Sequence, residues 1–263
     1  MKNRRQHIMR LVGLAVSVSV VLGTLSLYFS FIHDAHPQVE DVNASIIDVR
    51  GDVSMLDSAG LYRPLYEIYP EGVIGLPVDS IRLNQIETEY TNNPYVRSSR
   101  VYFDKNHVLK IELKQRIPAV RIMSNNGGDY YIDRDGEAMP TSSHYTPRVM
   151  VATGNIPLLE FDQSVDSIAI HRKVYDLSMA IEKDEFMKSF VSEIHVDGKQ
   201  NIYLQPLMGD YRIRINEIEE VEEKFENLKL FLREGLSRTG WDAYTELIID
   251  YNHQIIGKKI MNP

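Results

Sequence analysis

The sequence predicts an α+β fold carried by a single membrane anchor. Three observations predict it. Residues 11–32, "LVGLAVSVSVVLGTLSLYFSFI", carry no charge. The stretch 108–115 alternates apolar and polar almost without fault, directly after a segment of helical spacing. Beyond Pro118, short β-type runs punctuated by Gly turns alternate with two amphipathic helical patterns. The chain has 263 residues, 43% of them hydrophobic and 25% charged, which is the composition of a globular protein with a substantial core.

As a helix, residues 11–32 cover the roughly 30 Å of a hydrocarbon core. A cleaved signal sequence has a shorter apolar region and an A-x-A-like site, whereas here the chain runs straight into "HDAHP". The reading is therefore an uncleaved anchor. Lys2, Arg4, Arg5 and Arg10 precede it, and no Lys or Arg follows until Arg50. The positive-inside rule places residues 1–10 in the cytoplasm as a short tail and the rest of the chain across the membrane. The formal net charge is −8 although the tail is basic, so the remainder is strongly acidic and has no electrostatic reason to bind nucleic acid.

Residues 33–42 are a polar linker. "ASIIDVRG" then reads as a strand ended by Gly51. Residues 52–78 hold Gly60, Pro64, Pro70, Gly72, Gly75 and Pro77, so helices there are expected to be short or broken. Asp79 is the expected N-cap of a helix with Ile81, Ile86 and Tyr90 on one face, stopped at Asn92-Asn93-Pro94. Val101 and Phe103 open a strand. Asp104–His107 form a hairpin turn with Asn106 as its left-handed residue, and Leu109, Ile111 and Leu113 face inward on the returning strand. Two helices on one face of a three-stranded sheet make a sufficient small core for residues 43–118.

Residues 119–260 read as a second, β-rich domain. "AVRIM", "YYID", "VMVAT", "SEIHV", "NIYLQ" and "YRIRI" are its strands, and Gly127-Gly128, Asp135-Gly136 and Asp197-Gly198 mark turns. Tyr130 and Tyr131 are expected to place one ring inside and one outside. A helix over 166–183 presents Ile170, Val174, Leu177 and Ile181. A second over 217–234 presents Ile218, Val221, Phe225, Leu228 and Leu232, with Asn216 and Glu219 as a capping box and Gly235 at its end. "ELIIDY" and "QIIGKK" close the chain as a strand pair around Asn252-His253.

Chemistry-bearing patterns are sparse. The chain has no cysteine, which excludes disulfides, thiolate metal sites and a cysteine nucleophile. H-E-x-x-H, G-x-S-x-G, S-x-x-K and Gly-rich phosphate loops are absent. His33 and His36 lack a third metal ligand, and Asp133–Glu137 lacks the spacing of a calcium loop and reads as a turn. Ser142-Ser143-His144 are mere sequence neighbours, and the acids from Glu217 to Glu226 read as a solvated helix face. No catalytic residue, cofactor site, metal site or small-molecule substrate is expected. Two features favour binding: the sheet edges of small α+β domains, which present unpaired backbone groups, and the terminal strand "QIIGKK", whose position allows an open edge; Lys258 and Lys259 either border a partner or guard that edge.

The order of these features resembles the FtsQ/DivIB cell-division family: a basic tail, one anchor, a strand–helix–helix–strand–strand module and a β-rich domain. "IETEYTNNPYVRSSRVYFDKNHVLKIELKQRIPAVRI" resembles the second helix, Asn-Pro-aromatic-Val junction, hairpin and exit (Gln115, Arg116, Pro118, Ala119) of that family's POTRA module. "YYIDRDGEAMP" is similar to the opening of its β domain. "GDYRIRI", "EEKFENLKLFLREGL", "GWDAY" and "QIIGKK" resemble its C-terminal half as found in Bacteroidetes members. Residues 52–78 depart from the pattern, as does Asn216, where a glycine is the family's habit.

The resemblance implies a non-enzymatic, single-pass inner-membrane scaffold of the divisome, at the septum, with its C-terminal part in the periplasm. It implies binding to FtsB and FtsL and, through them, coordination of septal peptidoglycan synthesis by FtsW and FtsI. It also links the POTRA module to septal recruitment. Strand addition of an FtsB-like partner carries over to Ile248, Ile249, Asp250 and Tyr251 and to Gln254, Ile255, Ile256, Gly257 and Lys258. Two rival readings remain: a POTRA-bearing outer-membrane assembly or secretion component, which one module without a barrel fits poorly, and a membrane-anchored periplasmic wall hydrolase, which has no catalytic constellation here.

Overall fold

A computed structural model describes residues 2–35, 37–47, 55–161, 163–235, 240, 243–251 and 253–259. Asp48–Gly51 of the first expected strand, Trp241 and Asp242 of "GWDAY", and Asn252 of the last turn lie outside the described residues. The architecture is mixed α+β: one N-terminal apolar helix, a small three-stranded sheet with helices, and a larger β-rich region. By contacts the chain divides into Met1–Ile47, Ser58–Asn93 and Ser98–Lys114 as one unit, and Asp48–Asp57, Pro94–Arg97 and Gln115–Pro263 as the other.

The first unit opens with α1, Lys2–Ala35. Within it Gly13–Ser30 has a mean hydropathy of 1.7 and is not buried by protein, long and apolar enough to cross a membrane. Then come β1 (Asp41–Ile47), α2 (Ser58–Ile68), α3 (Leu83–Thr91), β2 (Val96–Phe103) and β3 (Val108–Gln115). The sheet order is β1-β3-β2, with β1 parallel to β3. Leu109, Ile111 and Leu113 are fully buried, as the alternation predicts, and Ile86 and Tyr90 of α3 are buried with them. The Tyr90 hydroxyl donates to the Leu61 carbonyl of α2 at 2.5 Å, joining the two helices.

Two local expectations fail in this unit. Asp79 caps no helix: Val78–Ser80 is a single 3-10 turn, Ile81 is extended, and α3 begins only at Leu83. The Tyr69 hydroxyl accepts the Arg82 amide at 3.0 Å and so fixes that later start. The helix of residues 52–78 is short, as expected: α2 stops at Ile68, and it passes Pro64 because buried Leu65 and the Tyr90 bond secure the turn that proline weakens. In the β2–β3 turn the left-handed residue is His107 (φ 58), not Asn106. Asp104 Oδ1 accepts the amides of Asn106 and Val108, which draws the chain round before the reversal.

The second unit is built on one nine-stranded sheet, β12-β11-β10-β9-β8-β7-β4-β5-β6. Its strands are β4 (Pro118–Ser124), β5 (Gly128–Asp133), β6 (Ala138–Pro140), β7 (Met150–Gly154), β8 (Val191–Val196), β9 (Ile202–Pro206), β10 (Arg212–Arg214), β11 (Tyr244–Tyr251) and β12 (Gln254–Lys259). Its helices are α4 (Ala169–Lys183), α5 (Glu185–Phe190) and α6 (Val221–Glu234). Ile170, Val174, Leu177 and Ile181 of α4 and Val221, Phe225, Leu228 and Leu232 of α6 are all buried in the same core as the inward residues of the sheet, so both predicted stripes are the core stripes.

The sheet's outer face is not uniformly wet. Tyr130 and Tyr131 are both 1% exposed, where one exposed ring was expected. Tyr130 enters the main core. Tyr131, on the opposite face, is covered by Met55, Tyr95, Tyr145 and Val149. Asn216 starts no helix either. Its side chain accepts the Ile202 amide and donates to Asn201, and its own amide donates to Asp250, so it ties the end of β10 to its neighbours. α6 begins four residues beyond the predicted start, after Glu220 in the left-handed region (φ 52). α5 is an element sequence reasoning missed. Asp184 caps it by accepting the Met187 amide at 3.0 Å, while Met187 and Phe190 fill the core below.

Candidate functional site

The nine residues singled out for partner binding lie on one hairpin at the margin of the large sheet. β11 pairs in parallel with β10 through Arg212↔Glu246 to Arg214↔Ile248, and antiparallel with β12 through Tyr244↔Lys259 to Tyr251↔Gln254. Ile248 thus has strand neighbours on both sides. Gln254–Lys259 form the terminal strand, and among the described residues no strand pairs with their far side. That side presents a row of backbone donors and acceptors, the groups an added strand takes up.

The two faces of the hairpin differ. Leu247 and Ile249 point into the core, with Ile255 packed against it. On the other face stand Glu246, Asp250, Ile256 and Lys258 beside Arg212 and Arg214. Glu246 is only 4% exposed and holds three cations: Lys258 Nζ at 2.7 Å, Arg212 Nη2 at 3.0 Å and Arg214 Nη1 at 3.9 Å. Burial pushes its carboxyl up, but the Lys258 ammonium and the Arg212 guanidinium outweigh that and hold it below the usual carboxylate value. Arg214 also reaches Asp250 at 3.2 Å, and Arg212 lies 4.1 Å over the Tyr203 ring. This ladder of alternating charge braces the pairing of β10, β11 and β12. It also settles the position of Lys258, whose charge is turned sideways onto β11.

Gly257 has a steric reason. A Cβ there would run into the Tyr244 ring, which lies across the glycine and meets Phe231 of α6 edge-on at 5.8 Å. Beside this aromatic pair a shallow groove of about 480 Å³ runs between α6 and β12, where Leu230, Phe231 and Ile255 are flanked by Asn227, Glu234 and His253. Leu230 is 48% exposed, Ile256 37% and Tyr251 54%. The hairpin turn is held by His253, in the left-handed region at φ 59, with its Nδ1 2.8 Å from Glu223 Oε1 of α6. Leu230, Phe231 and Tyr244 were not anticipated. The available signal was that Leu230 and Phe231 fall off the apolar stripe of α6: Phe231 packs only at the margin of the core, and Leu230 stays outside it.

Residues 117–258, more than half of the chain and all but the last residue of the large sheet, match the family described as FtsQ/DivIB, C-terminal related. The chain belongs to the FtsQ/DivIB family. No match was found among curated proteins. Proteins of the FtsQ/DivIB family are non-catalytic scaffolds of cell division, and membership suggests a division role with partners in the division complex. The single apolar helix α1 fits a single-pass membrane anchor.

Proposed function

We propose that this FtsQ/DivIB protein is a single-pass inner-membrane scaffold of the divisome that binds FtsB and FtsL and helps coordinate septal peptidoglycan synthesis by FtsW and FtsI. The observation that carries the reading is the edge of β12 that no described strand covers, next to the largely apolar groove along α6. An extended FtsB segment adds beside Gln254–Lys258, its main chain bonding the free edge. An adjoining apolar side chain reaches the groove at Leu230 and Phe231. Ile248–Tyr251 contribute from behind, by fixing the register and slope of the edge strand. The basic tail before α1 supports a cytoplasmic N-terminus, with the two folded units in the periplasm.

The parallel β1–β3 pairing and the helix pair α2 and α3 support a POTRA reading of residues 43–118, with residues 119–260 as the β domain. The septal-recruitment role goes with that first module. The test is co-purification of FtsB and FtsL with the full chain in detergent. Wild type is expected to retain both, and Ile256→Asp to lose FtsB while the melting curve stays unchanged. Retention of FtsB by that variant contradicts strand addition at β12. Depletion should give filamentous cells and a fluorescent fusion should gather at midcell; an even envelope distribution with normal division sinks the division role itself.

A further inference from the structure

We infer that one end of the first unit is a lipid-contacting surface, built from Ile74 and Leu76 with Lys105, which seats the unit on the bilayer that holds α1. The inference rests on reading α1 as a membrane anchor. Its starting point is the hydrogen bonding of the few residues that follow α1. Val78 donates to the Pro37 carbonyl at 2.9 Å, Val39 to Leu76 at 2.9 Å, and Gly75 to Val39 at 2.8 Å. On the other side Glu40 donates to the His107 carbonyl at 3.2 Å. The emerging chain is therefore clasped between the loop 72–77 and the β2–β3 turn.

The tether is short. Pro37 follows Ala35, the end of α1, by two residues, a reach of at most ~7 Å. Ile32, the last residue of the uncharged run, is one helical turn further back, about 5 Å. Pro37 thus lies no more than ~12 Å, and Val39 no more than ~19 Å, from the end of the apolar span, which keeps the clasp close to the headgroup layer.

At this place the loop turns its apolar residues outward. Val73 is 1% exposed, yet Ile74 is 65% and Leu76 36% exposed. Gly72 and Gly75 flank Ile74 at φ 86 and φ 83, and a Cβ on either would meet nothing within 4 Å. These glycines serve the loop's conformation and not its packing, and that conformation presents Ile74. Scattered exposed apolar residues are ordinary. These two differ because they sit on the loop bonded to the chain that leaves the membrane. Lys105, exposed at the tip of the neighbouring turn, supplies a cation for lipid phosphate. Glu71 and Asp41 lie close in sequence, so insertion is expected to be driven by apolar burial and to need no anionic lipid.

The test uses the full chain reconstituted in phosphatidylcholine vesicles with Ile74→Trp or Asn92→Trp, each with Trp241→Phe so that one indole reports. Asn92 is exposed at the far end of α3. The Ile74→Trp chain is expected to emit at shorter wavelength than the Asn92→Trp chain. It should also be quenched by lipids brominated near the headgroup end of the acyl chain, with the Asn92→Trp chain unaffected. Equal, water-like emission from both overturns the inference. So does a blue-shifted Ile74→Trp chain that brominated lipids leave unquenched, because protein and not lipid then covers the indole. A chain that fails to co-float with the vesicles overturns the anchor reading, and this inference with it.

Discussion

The two edges of the large sheet are treated in opposite ways. β6 is three residues long and ends in Pro140, which has no amide to offer. The chain around it is bonded back on itself: Glu137 bridges Ser164, Ala138 donates to Gln163, and Val165 donates to Gly136 at 2.8 Å. β12 is six residues long, and no described strand covers it. A sheet that only needed to be stable would close both margins, since an open edge invites unwanted pairing. Here the fold places its closing devices on one side and braces the other from behind with Glu246, Arg212 and Lys258. Under the proposed function, the β6 margin serves stability and the β12 margin serves recognition.

The largest expected effect breaks the closed side. Arg116 Nε meets Asp133 Oδ2 at 2.6 Å with both side chains buried, while Asp133 Oδ1 accepts the amides of Asp135 and Glu137. Arg116→Ala leaves that carboxylate buried without its cation and is expected to cost about 3–5 kcal/mol, read as a lower urea midpoint. A loss of partner binding at unchanged stability would reverse the assignment of the two margins. Next in size is Gly257→Val. The Tyr244 ring must leave its place, at a cost of about 1–3 kcal/mol, and hydrogen exchange is expected to rise in β11 and β12 before it rises in β4 and β5. Uniform acceleration across the sheet would mean that the hairpin does not open by itself.

Smaller still in stability is Ile256→Asp, an exposed outer-face position at which the change is expected to stay within about 0.5 kcal/mol. Its partner affinity should nevertheless collapse. The smallest effect is the acid response of Glu246. Its folded carboxyl is held below its unfolded value, so the stabilisation is complete above the unfolded value and fades as pH falls through the folded one. Amides of β12 should exchange faster, relative to those of β8, as the medium is acidified below the unfolded carboxylate value, after correction for intrinsic rates; Glu246→Gln should flatten that relative change.

Much of this was legible in the residues. The apolar helix α1 follows from an uncharged run of membrane-spanning length, and the alternation of β3 and the stripes of α4 and α6 follow from periods of 2 and 3.6, which burial enforces directly. What escaped depends on partners distant in sequence. Asn216 looks like a cap, yet its amide group is consumed by Ile202 and Asn201. Tyr131 looks like a surface ring until Met55 and Tyr145 are brought over it from outside the strand. Asp79 obeys a local capping rule that the 3-10 turn after Pro77 overrides. For the candidate site, the edge strand could be named from its terminal position, but the groove could not, because Phe231 meets Tyr244, and Leu230 comes beside Ile255, only once α6 packs on the hairpin.

The most direct test of the contrast between the two margins is hydrogen exchange of the full chain with and without FtsB and FtsL. The account predicts new protection at Gln254–Lys259 and in α6 around Leu230, with no change at Ala138–Pro140 or at the bridge between Glu137 and Ser164. Unaltered exchange in β12, or protection that appears at β6 instead, would contradict it.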